Sequence, residues 1–114
     1  MRPVPVIKVV VAVNRRPALT TEEFRAQFYS THIPQLRQLP GLRRLVVNFA
    51  LPGPDGEPAY DGFGEDWFDS VEAMQQAFGS PAGQAVMADA ASFLDMRRLK
   101  VVVVDEDEVS LANV

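Results

Sequence analysis

Cysteine is absent from the 114 residues, and histidine and tryptophan occur once each. Without a thiol there is no disulfide, no thiolate nucleophile and no cysteine-bound metal. One histidine leaves a zinc or iron centre short of ligands, so no metal is expected. Positive charge is in deficit too: 11 lysines and arginines face 15 aspartates and glutamates, a net −4. That balance repels a phosphate backbone and excludes nucleic acid as an expected partner. The most apolar segment, MRPVPVIKVVVAV, contains Lys8 and two prolines and is too short to cross a bilayer, so no membrane partner is expected and the protein is read as cytoplasmic. PGPDGEP lacks the lysine and following helix of a phosphate loop, no strand opens a GxGxxG turn, and no serine sits in a nucleophile elbow.

What remains is 47% apolar and 23% charged, the composition of a packed domain, and the length predicts one domain over 1–114 with an acidic tail from about 105. VIKVVVAVN, crowded with β-branched residues, reads as a strand. Thr20 and Glu23 fit a capping box that starts a helix, and Pro34 predicts its break near Thr31 to Ile33. LRRLVVNFAL and AYDGFGEDWF read as strands joined by the PGPDGEP turn. Asp69 or Ser70 caps a second helix, VEAMQQAF, which GSP interrupts before AGQAVMADAASFL, and RRLKVVVVDEDE is the last strand. The order βαββαβ predicts an α+β fold, a ferredoxin-like sandwich in which one four-stranded antiparallel sheet carries both helices on one face.

The first and last strands do not alternate apolar with polar residues, as a sheet covered on one face should. Leaving about six valines in water forfeits roughly 1.5 kcal/mol each, a sum on the scale of the ~5–15 kcal/mol stability of a whole domain. A second copy packed sheet against sheet covers them, which predicts a two-fold homodimer. The alternative cover, the chain's own short acidic tail, suits valine poorly.

The valine-rich first strand, TTEEFRAQFYSTHIPQLRQLPGLRRLVVN with its T-H-x-P and L-P-G-L elements, YDGFGEDWFDS and SPAGQAVMADAASFLD together resemble the EthD family. The resemblance spans about residues 7 to 104. It implies a ferredoxin-like protomer paired into a dimeric α+β barrel, with a small-molecule pocket in each protomer and no cofactor. It also implies a role in degrading ethers or tailoring polyketide-like and lactone compounds, loosely described as oxidoreductase chemistry.

In this topology the end of the first helix, the start of strand two and the end of strand three meet, bringing His32 towards Arg43, Arg44, Asp66 and Trp67. His32 is a general acid and base by its ordinary pKa, or else a cap on carbonyls freed by Pro34. Asp66 orients His32, or else pairs with Arg44 across the strands. Tyr29, three residues before His32, shares its helix face and can anchor a substrate oxygen or simply pack. Phe28 is core or pocket wall, Asn48 is a buried amide for a ligand carbonyl or points to solvent, and Trp67 is aromatic lining or packing. The leading expectation is an enzyme without cofactor that shuttles a proton on an apolar, oxygenated small molecule. The rival is a dimeric binding or accessory protein that holds such a molecule unchanged.

Overall fold

The computed structural model describes residues 6–112. Its four antiparallel strands are β1 (Ile7–Val13), β2 (Arg44–Phe49), β3 (Gly62–Phe68) and β4 (Lys100–Asp105), arranged β2-β3-β1-β4. This is the ferredoxin-like order anticipated from the sequence: β1 lies in the middle, against β3 on one side and β4 on the other.

Register determines which side chain faces which way. Val9 pairs with Asp66 and Val103, Val11 with Gly64 and Val101, and Val13 with Gly62, while Leu45 pairs with Asp66 and Val47 with Gly64. Paired residues share a face, so this set forms the side that meets the helices. There Val9, Val13 and Phe68 are buried against Phe24, Phe28, Leu36, Ala77, Val86 and Phe93. The other face carries Lys8, Val10 and Ala12 of β1 beside Trp67, Glu65 and Phe63 of β3. It is less bare than its valines predict. The Lys8 ammonium donates to Glu65 at 2.9 Å and Glu106 at 3.0 Å, the Trp67 indole N–H donates to Glu106 at 3.0 Å, and the Asn48 amide donates to Glu65 at 2.9 Å. Val102, in the edge strand, is nevertheless 55% exposed.

Helix α1 (Thr21–Gln27) opens with the anticipated capping box, Thr20 accepting from the Glu23 N–H and Glu23 accepting from the Thr20 N–H. The regular α-helix ends at Gln27, somewhat earlier than the break predicted near Thr31 to Ile33. The chain then widens into a π-helical turn, Phe28–His32, and resumes as α2 (Ile33–Leu36) with Pro34 in its first turn. In a regular helix the proline ring collides with the carbonyl four residues earlier, and an i→i+5 turn makes room for it. Phe24, Phe28, His32 and Leu36 therefore stay on one buried side.

Helices α3 (Val71–Gly79) and α4 (Pro81–Phe93) are capped by Ser70 and Ser80 and meet at Ser80-Pro81. Gly83 makes the sharp junction possible, because a Cβ there would run into the carbonyls of Ala77 and Phe78. Among the described residues, no helix is long and apolar enough to cross a membrane.

Candidate functional site

Between the helices and the sheet lies a chamber of about 410 Å³. Its floor is Val9, Val11, Val13, Val47, Gly64 and Asp66, and its walls include Phe28, His32, Leu36, Val86 and Ala90. Gly64 matters by lacking a side chain: a Cβ built there meets nothing within 4 Å. Val101 and Val103 of β4 line the chamber yet are 56% and 43% exposed, so it opens along that edge.

Among the described residues that line the chamber, only His32 and Asp66 titrate and the rest are apolar. The π-helical turn presents His32, which is 6% exposed and wedged edge-on between Phe28 at 5.1 Å and Phe93 at 5.3 Å between ring centres. Its Nδ1 lies 2.9 Å from Oδ2 of Asp89 on α4. Asp89 also accepts from the Thr31 hydroxyl at 3.2 Å and the Gln27 amide at 3.2 Å. An ionised carboxylate only accepts, so Nδ1 carries the proton and Nε2 keeps the lone pair. Burial pushes the imidazole below its usual value, against the opposing pull of Asp89. Burial thus favours the neutral ring.

Asp66 reaches the chamber from the sheet side, because its register partners Val9 and Leu45 face the helices. It is 3% exposed, and burial alone pushes its carboxyl up to about 6. Among the described residues no side chain donates a hydrogen bond to it. A desolvated, unpartnered carboxyl in a cavity is costly to keep and is a mark of a working site.

Of the six candidate residues, the structure brings His32, Asp66 and Phe28 to one chamber. Tyr29, Asn48 and Trp67 do not line it. Tyr29 is 62% exposed and packs on Phe49, because the π-helical turn rotates it outward. Asn48 and Trp67 fall on the opposite sheet face, where Asn48 bonds Glu65 and the Phe63 carbonyl, and Trp67 lies beneath Lys8 and Arg44. Arg44 stands opposite Trp67 rather than Asp66, a register shift of one that frees Asp66 from any cross-strand ion pair. The carboxylate that holds His32 is Asp89, not Asp66. Asp89 had a readable sign: it lies in the helical stripe of Val86, Ala90 and Phe93, where a charge is out of place. Among the described residues, no group of three or more histidines, aspartates or glutamates is placed to hold a metal ion.

These features define a ferredoxin-like α+β protein with an internal, mostly apolar chamber lined by one histidine and one aspartate. The chain belongs to the EthD family, matching the EthD domain over residues 16–97. An uncharacterised 11.0 kDa protein from the thcB-thcC intergenic region of Rhodococcus erythropolis is 30% identical over 84 residues, covering 74% of this chain and 81% of that protein. The crystal structure of an EthD family protein from Bacillus halodurans superposes with a TM-score of 0.77 at 27% identity, covering 90% and 99% of the two chains. At lower identity the fold recurs in a dimeric ferredoxin-like protein of unknown function from Bacteroides fragilis (13%, TM-score 0.67, 89% and 96% covered). It recurs also in a hydroxynitrile lyase from Passiflora edulis (14%, TM-score 0.74, 96% and 100% covered).

Proposed function

We propose that the chamber is a catalytic site in which the protein's own side chains move a proton on an apolar, oxygenated small molecule. The observation that carries this reading is the pairing of a neutral, Asp89-anchored His32 with an unpartnered Asp66 in an otherwise apolar cavity. His32 Nε2 takes the proton, and Asp89 holds the ring and stabilises the imidazolium that results. Asp66, with a pKa of about 6, exchanges protons readily near neutrality and serves as the partner acid or base. Isomerisation, dehydration and cofactor-independent oxygenation all begin with such a proton removal. The use of this fold by a hydroxynitrile lyase supports an enzymatic role.

The test is solvent exchange. Naphthoresorcinol, a neutral two-ring compound with acidic ring positions, is incubated with the protein in D₂O. Protein-dependent deuteration that disappears in His32→Ala supports the reading, and equal rates in both proteins overturn it. A second reading, a binding protein without turnover, draws on the almost wholly apolar lining. It predicts tight binding with no exchange at all.

Pairing of two protomers through the open sheet face belongs to the same proposal. Val10, Val46, Phe63, Val102 and Val104 lie on that face, and the dimeric state of the Bacteroides fragilis protein of like fold supports it.

A further inference from the structure

The chamber's polar groups share one property. Once ionised, the Asp66 carboxylate accepts hydrogen bonds and has none to give. His32, also in the lining, spends its one N–H on Asp89, so its other ring nitrogen, Nε2, also only accepts. No other residue of the lining carries a polar side chain. The site thus offers two acceptors and no side-chain donor. A buried acceptor left without a donor is unfavourable, most of all a charged one. A ligand whose oxygens are all acceptors, such as an ether or a simple ketone, would bury its lone pairs against these acceptors and satisfy neither. A carboxylate would add a second negative charge beside Asp66, with no lysine or arginine in the lining to offset it.

We infer that the chamber selects an uncharged hydroxylated ring compound, a phenol or enol, that donates O–H bonds to Asp66 and His32. The chamber volume of about 410 Å³ suits a two- or three-ring skeleton, and the valine floor with Gly64 at its centre provides a smooth, apolar bed for it. The inference rests on the proposed site but not on turnover there, since it concerns which molecules enter. The same hydroxyl is then the natural source of the proton that His32 removes.

The experiment compares naphthoresorcinol, its dimethyl ether and naphthoate by calorimetry at about pH 7.5, where Asp66 is ionised. The three share a ring skeleton and differ in donors and charge. The wild-type protein is expected to bind naphthoresorcinol at least ~10-fold more tightly than either of the others, the scale of a hydrogen bond to a charged group. In Asp66→Asn, whose amide donates as well as accepts, the preference over the ether falls to about threefold or less. Circular dichroism and a melting curve establish that this near-isosteric variant is folded. An ether or naphthoate that binds the wild-type protein as well as naphthoresorcinol does, or failure of all three to bind, overturns the inference. So does a preference that survives unchanged in folded Asp66→Asn. Binding with the expected preference but no deuterium exchange leaves the selectivity standing and removes the catalytic reading instead.

Discussion

His32 on the π-helical turn and Asp89 on α4 are joined by a 2.9 Å contact between Nδ1 and Oδ2, across 57 positions of sequence. The contact fixes the tautomer and ring orientation of the chain's only histidine, and it ties the widened turn to the helix opposite. Asp89 opposes the lowering of the His32 pKa by burial. Replacing it with asparagine therefore moves the His32 titration still lower, which an NMR titration of the ring protons reads directly. An unchanged midpoint would show that the contact carries no electrostatic coupling.

A buried imidazole whose folded pKa lies below its unfolded value stabilises the fold above the unfolded pKa of about 6.5, and that contribution is lost as pH falls through the folded value. Denaturant melts of the wild-type protein and His32→Gln should consequently converge or cross below about pH 6. Parallel stability curves down to about pH 4 would contradict a neutral buried His32.

Asp66 has the opposite sign. Its folded pKa of about 6 stands above the ordinary 3.8, so its full contribution to stability is present below the lower value and is lost as pH rises through the upper one. The shift from 3.8 to about 6 corresponds to about 3 kcal/mol at most. Asp66→Asn should stabilise the protein by about 1–2 kcal/mol above pH 7, with the gain vanishing near pH 4. A loss of stability at pH 8 would show that the carboxylate is paired in the fold.

Gly64 holds the middle of the chamber floor open. Valine suits a strand and finds free space there, so Gly64→Val should leave the melting temperature within a few degrees while weakening naphthoresorcinol binding at least ~10-fold. Undiminished binding would place the ligand outside the chamber.

Val10 and Val102 are cross-strand neighbours on the open face. Sedimentation of the wild-type protein should give twice the 12.6 kDa chain mass, and Val102→Lys should dissociate the pair. A wild-type protein that stays at the single-chain mass at all concentrations would contradict the pairing.

Much of the fold could be read from the residues because its signals are local. Valine runs, the Thr20–Glu23 box, the PGPDGEP turn and the Ser80-Pro81 interruption each act within a few positions. The site was legible only in part, because it depends on register and helical pitch. Counting from the turn put Arg44 opposite Asp66, one residue from its true partner Trp67, and a slip of one in a strand exchanges the two faces. With the true register Asp66 faces the helices beside Leu45, while Asn48 and Trp67, opposite Phe63 and Arg44, fall on the open face. The π-helical turn hid the outward position of Tyr29, since regular spacing predicts that it shares a side with His32. Asp89 is the least legible member, because a carboxylate in a helix reads as solvated although its neighbours Val86, Ala90 and Phe93 are all buried.

The measurement that reaches the chemistry most directly is the ¹⁵N spectrum of His32 during titration with naphthoresorcinol. If the imidazole meets the ligand inside the chamber, Nε2 begins as an unprotonated nitrogen and shifts on accepting the ligand's O–H, while Nδ1 keeps its proton against Asp89. A spectrum that does not move although calorimetry shows the compound bound, or one in which Nε2 already bears the proton in the free protein, would contradict a His32 base at this site.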